Sequence, residues 1–368
     1  MQFSPQDHEF MRLALELASR ATMATSPNPK VGCVLVNNGE ILGRGWTQPV
    51  GQAHAEVMAL RDAASHGKNV RGATAYVSLE PCSHFGRTPP CANALIEAGL
   101  VRVVAALEDA NPQVAGRGFA MLRDAGIVVE HGLLASDARE MNLGFFTRME
   151  MGKPWVRLKM AASIDGFTAL PNGQSQWITD AAAREDGHRW RARADAILTG
   201  IGTVLADDPQ LTVRLPAAEL AQNYRPRKIV LDSHLRTPLN AKILQGGSVT
   251  IVHALQAPDL EDALRNVGAD LLYLPDLDVR IDLSALLSIL GQQQINELHV
   301  EAGAKLSGAL IKSGCVDELL LYLAPKLLGR GAPMFALPDI QKIDEAQNLS
   351  IHEIRQVGEA IRVLARFT

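Results

Sequence analysis

The sequence predicts an α/β protein of two domains, and three observations carry that prediction. In both halves, short apolar runs of strand length alternate with segments of helical period, the pattern of sheets covered by helices. At 368 residues the chain is long enough to bury two cores. Gly152-Lys153-Pro154 separates the two sets of elements, because extended backbone is favoured before proline. The predicted domains are 1–150 and 151–368.

In the first half, Ser4-Pro5-Gln6-Asp7 reads as a helix start: a serine cap, proline at the first helical position and an acid in the first turn. Phe10, Leu13, Ala14, Leu17, Ala18 and Ala21 then recur at helical spacing. Strands 31–36 and 40–46 flank Asn38-Gly39, a hairpin turn signal. Cys33, inside the first strand, reads as a small buried apolar residue. A helix follows at 55–64, with His54 at or just before its first turn. Residues at i and i+2 of a regular helix point to nearly opposite sides. His54 and Glu56 therefore share one site only at the helix entrance. A strand at 73–79 delivers Glu80-Pro81-Cys82 at its C-terminal end, and Pro89-Pro90-Cys91 opens a helix at 92–98. Helix-terminal N–H groups there favour Cys91 as a thiolate. A strand at 101–107, a helix at 118–125 and a strand at 127–130 complete the domain, and residues 144–154 carry the chain out of it.

One imidazole and two thiols, His54, Cys82 and Cys91, offer three ligands suited to Zn²⁺. Three protein ligands leave a fourth position for water, the catalytic arrangement, and Glu56 stands where it could move protons. Zinc nucleobase deaminases combine His-x-Glu with Pro-Cys-x-x-Cys. Here eight residues, not two, separate the cysteines. A closed structural site would need a fourth protein ligand, for which His84 and Cys33 are the candidates. Neither matches a known pairing, and the His-x-Glu pair favours catalysis.

The second half begins with a strand at 155–161, then Ser175-Gln176-Trp177-Ile178-Thr179 ahead of a polar helix at about 180–193. Strands are predicted at 196–200, 228–232, 249–253 and 271–274. Leu298 to Gly303 forms a strand ending in a glycine turn that feeds a helix at 305–312, a plausible phosphate site. Residues 350–368 form a terminal hairpin about Gly358. Gly200-Ile201-Gly202 lacks the third glycine of a Rossmann fingerprint. The residues alone support a ligand-binding α/β domain and go no further.

The widened cysteine spacing lies between Pro27-Asn28-Pro29-Lys30-Val31-Gly32 and Asn111-Pro112-Gln113-Val114-Ala115-Gly116-Arg117-Gly118. Together they resemble the deaminase half of the bifunctional riboflavin-biosynthesis deaminase/reductase family. In the second half, Leu158-Lys159-Met160-Ala161-Ala162-Ser163-Ile164-Asp165-Gly166, the 175–179 and 203–214 stretches and Val300-Glu301-Ala302-Gly303 resemble its reductase half. The resemblance spans nearly the whole chain. It implies a cytidine-deaminase-like three-layer domain followed by a dihydrofolate-reductase-like domain, with Zn²⁺ and NADPH as cofactors. The implied substrate is 2,5-diamino-6-ribosylamino-4(3H)-pyrimidinone 5′-phosphate, deaminated on the ring and then reduced at the ribose C1′.

Carried over by motif, Asn28, His84, Asp109 and Asn111 contact substrate in the first domain, with Glu56 as the catalytic proton shuttle. In the second, Ala161, Trp177, Thr203, Asp207, Ser233 and the run Gly303, Ala304, Lys305, Leu306, Ser307, Gly308 and Ala309 line the cofactor. Ser175, Arg191, Leu211, Arg214 and Glu301 face the substrate, the arginines as partners for its phosphate. Lys159 and Asp207 are the polar groups expected near the reaction centre. Many relatives have Glu-Gly-Gly where this chain has Glu301-Ala302-Gly303; the added methyl restricts φ but leaves a turn able to approach phosphate.

A net charge of −4 leaves no electrostatic footprint for nucleic acid. The first residues lack signal-peptide features, and no apolar run is long enough to span a bilayer. Four cysteines in so long a chain do not make a disulfide framework, so a reducing cytoplasm is expected. The resemblance also implies a homo-oligomer. Three other readings remain at this level. A single-function nucleoside or tRNA deaminase with an accessory domain would lack the second-half motifs, and the tRNA enzyme should be more basic. A structural zinc protein would need no shuttle at Glu56. An enzyme with one dead half would not be expected to keep both motif sets.

Overall fold

Ser4 Oγ accepts the Asp7 N–H at 3.1 Å while the Asp7 carboxylate accepts the Ser4 N–H at 2.9 Å, a capping box that starts helix α1 (Pro5–Ser19). The computed structural model describes residues 3–21, 23–83, 90–112, 114–216 and 225–368. The chain divides into two units, Met1–Gly152 and Lys153–Thr368.

In the first unit, strands β1 (Gly32–Asn37) and β2 (Glu40–Trp46) pair antiparallel across Asn38-Gly39. Both turn residues have positive φ, 49° and 80°, as a type I′ turn demands. There follow α2 (Ala55–Ser65), β3 (Thr74–Val77), α3 (Cys91–Glu97), β4 (Arg102–Ala105), α4 (Arg117–Asp124), β5 (Val128–His131), α5 (Ala135–Met141) and α6 (Leu143–Met151). The sheet order is β2-β1-β3-β4-β5, with β3, β4 and β5 parallel. Ala55, Ala59, Leu95, Leu122 and Phe145, from α2, α3, α4 and α6, pack on one face. Phe10, Met11 and Leu17 of α1 and Ala138 of α5 pack on the other. These are the three layers expected. The segment 144–154, expected only to lead the chain away, is instead mostly α6, because Phe145 and Phe146 supply core surface.

The closeness of α2 to the sheet depends on two glycines. A Cβ on Gly45 would stand 2.2 Å from the Ala55 carbonyl oxygen, and one on Gly43 would stand 2.2 Å from that of Ala59. Alanines on the helix and glycines on β2 therefore let α2 lie against the strand, which sets where its first turn begins.

The second unit contains β6 (Trp155–Ser163), β7 (Phe167–Ala169), α7 (Ala181–Arg193), β8 (Ala196–Gly200), α8 (Ile201–Asp207), β9 (Arg227–Leu231), β10 (Val249–His253), α9 (Pro258–Asn266), β11 (Ala269–Tyr273), α10 (Leu283–Gln292), β12 (Glu297–Glu301), α11 (Ala304–Lys312), β13 (Glu318–Ala324), β14 (Ala332–Pro333), β15 (Leu349–Val357) and β16 (Ala360–Phe367). Its main sheet runs β11-β10-β9-β8-β12-β6-β13-β16-β15. Pairing is parallel from β11 to β13 and antiparallel in the final hairpin. Strand β13, whose sequence Glu-Leu-Leu-Leu-Tyr-Leu-Ala is almost wholly apolar, is a central strand that the sequence reading did not single out.

The chain winds outward from β8 to β11 and then returns to place β12 between β8 and β6. Open α/β sheets bind ligands at the carboxyl ends of strands where the winding reverses. Beneath that end, Arg157 of β6 is buried between Glu297 and Glu318 at 2.8 and 2.6 Å, with the Trp190 ring 4.4 Å away. Both carboxylates pair with the one cation, which locks β12, β6 and β13 side by side.

Candidate active sites

His54 is the N-cap of α2, with extended backbone (φ −78°, ψ 170°), so Glu56 is only in the first turn. The helix entrance is where the two can face one site. Strand pairing brings the other parts to the same end of the sheet. Gly32 at the start of β1 exchanges bonds with Ser78 just past β3, and Trp46 at the end of β2 lies opposite Gly32. Asn28 precedes β1, Cys82 follows β3 and Asp109 follows β4, so all three emerge beside the start of α2.

His54 Nδ1 lies 3.6 Å from Cys82 Sγ and 3.4 Å from Cys91 Sγ, and the three ligand atoms all fall within 4.8 Å of one another. Zn–N and Zn–S bonds of usual length at a tetrahedral angle put N and S about 3.5 Å apart. The donor set fits zinc in both chemistry and spacing. Glu56 is 3% exposed, and burial, followed by the charge of Cys82, pushes its carboxyl up to about 7.

The two cysteines hydrogen-bond to one another. Cys91 opens α3, but its N–H donates to Cys82 Sγ at 3.3 Å, and hydrogen bonding from the Cys91 thiol holds Cys82 down at about 4. The same bond to Cys82, together with burial, pushes Cys91 well up. The Cys91 thiol and the Cys91 N–H thus both serve the Cys82 sulfur as acceptor.

Asp109 is buried, and burial raises its carboxyl to about 6 while its Oδ1 accepts the Asn111 N–H at 2.8 Å. Asn28 is half-buried, and its N–H donates to the Thr25 carbonyl at 2.9 Å. His84 lies outside the described residues.

In the second unit, Lys159 in the middle of β6 is level with Glu301 at the end of β12, Ala161 lies further along β6, Thr203 follows β8 in α8, and Gly303 follows β12 as the N-cap of α11, all around the reversal of winding. Arg191 grips Glu301 with two nitrogens, Nη2 to Oε2 at 2.9 Å and Nε to Oε1, while its Nη1 donates to the Thr212 carbonyl at 3.0 Å. Lys159 Nζ lies 3.8 Å from Glu301 Oε2. Burial works against ionising Glu301, but Arg191 and Lys159 outweigh it and hold the carboxyl well below the usual range. His299 Nε2 is 3.3 Å from Glu301 Oε1, off the line of a hydrogen bond. Arg191 thus places three of its N–H donors on Glu301 and Thr212.

Arg214 is exposed, and its N–H and Nε–H approach the two ring nitrogens of His188 at 3.3 Å. Burial and the neighbouring arginines push His188 down to about 4. No sequence motif singled out His188; its place three residues before Arg191 on α7 was the signal available.

The start of α11 fits a phosphate-bearing cofactor. Gly303 is its N-cap with no side-chain cap, and a Cβ added there would meet nothing within 4 Å. Ala304, Lys305 and Leu306 follow in the first turn. Further along, the interior claims the helix: Ser307 Oγ donates to the Ala302 carbonyl at 3.2 Å, and a Cβ on Gly308 would strike the Ala336 oxygen at 2.2 Å. Within the expected cofactor run 303–309, Ser307 and Gly308 are buried, while Gly303, Lys305 and Ala309 are exposed.

Trp177 is 64% exposed, with the Arg184 guanidinium 4.4 Å from its ring and Lys326 Nζ donating to its carbonyl at 3.0 Å. Ser175 is half-buried two residues before it, and Ser233 follows β9. The Leu211 side chain is buried in an apolar cluster with Ile197 and Val204. Asp207 is exposed at the end of α8.

Residues 154–363 match the family described as RibD C-terminal domain, and residues 4–107 match the cytidine and deoxycytidylate deaminase zinc-binding region. The riboflavin biosynthesis protein RibD of Escherichia coli K12 is 48% identical over 364 residues, covering 96% of this chain and 97% of that protein. The chain belongs to the RibD family. The RibD of Haemophilus influenzae is 45% identical, covering 99% of this chain and 98% of that one. Among solved structures, Acinetobacter baumannii RibD superposes with a TM-score of 0.89 at 42% identity, covering 99% of both chains. A diaminohydroxyphosphoribosylaminopyrimidine deaminase/5-amino-6-(5-phosphoribosylamino)uracil reductase from Thermotoga maritima superposes at 0.86 with 30% identity, again covering 99% of both. As a RibD family member the chain is a bifunctional enzyme of riboflavin biosynthesis, a zinc-dependent deaminase and an NADPH-dependent reductase. Among the described residues, no helix is long and apolar enough to cross a membrane.

Proposed function

We propose that the first unit deaminates 2,5-diamino-6-ribosylamino-4(3H)-pyrimidinone 5′-phosphate at the pyrimidine ring, and that the second reduces the ribosyl group of the product to ribityl with NADPH. The observation that carries the first half is the meeting of His54, Cys82 and Cys91 with Glu56 at the entrance to α2. His54, Cys82 and Cys91 would hold zinc, which when bound supplies Lewis-acid activation of water. Glu56 takes a proton as water adds to the ring carbon and returns one to the departing ammonia. Its burial raises the carboxyl towards neutrality, which suits a group that must both accept and release a proton. Asn28, Asp109 and Asn111 orient the ring.

In the second unit the first turn of α11 would cradle a cofactor phosphate, with Ala161, Thr203, Trp177 and Ser233 along the same crevice. NADPH when bound supplies hydride. Lys159, held against Glu301, stands at the reaction centre as a cation beside the opening sugar, and Arg214 with the backbone at Leu211 meets the substrate phosphate. Arg191 serves by fixing Glu301. Ser175 completes the substrate side.

Two wider readings belong to the same proposal. The enzyme works as a homo-oligomer: edge strand β15 leaves Leu349, Ile351 and Ile354 exposed at 41%, 61% and 62%, more apolar edge than an isolated sheet usually tolerates. It works in a reducing cytoplasm, where free Cys33, Cys82, Cys91 and Cys315 stay reduced.

The test follows ammonia release and NADPH oxidation by zinc-loaded protein on the diaminopyrimidine phosphate. Wild type is expected to do both. Glu56→Ala should release no ammonia yet oxidise NADPH with substrate already deaminated. Ammonia release without any NADPH oxidation would remove the reductase assignment.

A further inference from the structure

Glu80 stands two residues before Cys82 and is 3% exposed. Its Oε2 accepts the N–H of Asp109 at 3.1 Å and of Gly116 at 3.0 Å, and its Oε1 accepts the N–H of Phe119 at 3.1 Å. All three donors belong to the stretch 109–119, which joins β4 to α4 and carries Asp109 and Asn111. The Glu80 N–H also donates to the Leu107 carbonyl at 2.8 Å. Next to it, Gly118 meets Pro81 so closely that a Cβ would stand 2.0 Å from the Pro81 oxygen. The restraint passes on, since Asp109 accepts the Asn111 N–H in turn.

A single buried carboxylate thus bridges two stretches: 80–82, which ends in a metal ligand, and 109–111, read above as substrate contacts. A loop of this kind is ordinarily free to vary its conformation. Here its backbone donors converge on two oxygens of a side chain whose own backbone is tied to the Leu107 carbonyl. Glu80 has no path to a proton in the reaction, because Glu56 occupies that role from α2.

We propose that Glu80 is a positioning residue for the deaminase, fixing Asp109 and Asn111 relative to the zinc ligands and thereby setting affinity for the pyrimidine. The inference rests on the reading of Asp109 and Asn111 as substrate contacts. A glutamine at 80 keeps one acceptor oxygen but turns an NH₂ towards N–H groups that need an acceptor, so the loop shifts while the metal ligands stay. Loss of contacts made equally in the ground and transition states raises KM and leaves kcat, so a rise in KM of about 10- to 100-fold is expected.

The experiment measures KM and kcat for ammonia release, zinc per chain, and NADPH oxidation with deaminated substrate, on full-length Glu80→Gln and Gly118→Ala. The expected result is a raised KM in both, with kcat within about threefold, because proton transfer by a Glu56 left in place sets it. Zinc content and NADPH oxidation should match wild type. An unchanged KM in Glu80→Gln, a fall in kcat at constant KM, or loss of zinc in step with activity would each overturn the proposal. Should Glu80→Gln fail to accumulate, Gly118→Ala decides by the same criteria, since its Cβ presses the loop away from Pro81 and the Glu80 carboxylate while both acceptor oxygens are kept. Asn111→Ala separates the two levels of argument. If it leaves KM unchanged, the underlying substrate-contact reading fails; if it raises KM and Glu80→Gln does not, only the positioning role fails.

Discussion

The backbone N–H of Cys91 points at the Cys82 sulfur from 3.3 Å, so the first residue of one helix orients a zinc ligand supplied by the segment that follows β3. Cys91 therefore acts twice, through its own thiol and through its amide. Only the thiol is lost in Cys91→Ala, whereas Cys82→Ala removes a ligand and the acceptor that the amide serves. Outer-shell bonds of this kind are worth about 10- to 100-fold in metal affinity. Zinc competition titrations should find Cys82→Ala weaker than Cys91→Ala by about that factor, with ammonia release lost in both and NADPH oxidation on deaminated substrate kept.

Glu56 is not a ligand, and its removal should separate chemistry from metal binding. Glu56→Gln preserves the shape of the first turn of α2 and should retain zinc at wild-type stoichiometry. Its ammonia release should fall by about 10²- to 10⁴-fold, the range for losing a general acid–base group. Elemental analysis alongside steady-state rates checks both halves of the expectation.

Asp7 gives the first unit a specific acid sensitivity. Burial opposes its ionisation, but hydrogen bonds from Arg102 and Tyr76, each at 2.7 Å, and from Ser4 outweigh that and hold the carboxyl well below the ordinary range. A carboxyl with a depressed folded-state pKa stabilises the fold above its unfolded value, near 4, and that stability is lost as pH falls towards the folded value. Asp7→Asn should therefore cost about 1–3 kcal/mol at pH 7. The difference from wild type should narrow progressively below about pH 4. Urea unfolding at pH 7 and pH 3, followed by signals from the first unit, measures it.

Arg191 and Glu301 form a largely buried pair, with side chains 16% and 15% exposed. Removing one partner of such a pair typically costs about 3–5 kcal/mol, because the other is left uncompensated. Arg191→Ala should lower the thermal stability of the second unit and abolish NADPH oxidation, while ammonia release continues below the new transition. Calorimetry with both activities followed on heating tests this.

Local chemistry was legible wherever neighbours in the chain determine it. The capping box at Ser4 and Asp7, the Asn38-Gly39 turn and the His54-x-Glu56 spacing all depend on residues a few positions apart. The ligands His54, Cys82 and Cys91 were legible as well, because imidazole and thiols at strand and helix ends are a chemical signature before they are a geometry. Strand β13 was overlooked although its apolar run is plain, since nothing in such a run says whether it lies at the centre of a sheet or in a helix.

By itself, then, the sequence determined the two-part α/β architecture, the metal donor set and the acid–base partner, since each follows from residue type and short spacing. The tertiary structure alone decided that the Cys91 amide serves the Cys82 sulfur, that the Leu211 side chain belongs to the core, that Arg191 pairs with Glu301, and that Glu80 gathers backbone donors from Asp109, Gly116 and Phe119. Each of those depends on atoms brought together from positions far apart in the chain. The pairing of β12 between β8 and β6, or of Glu80 with Phe119, is set by the packing of whole sheets and has no local signature to read.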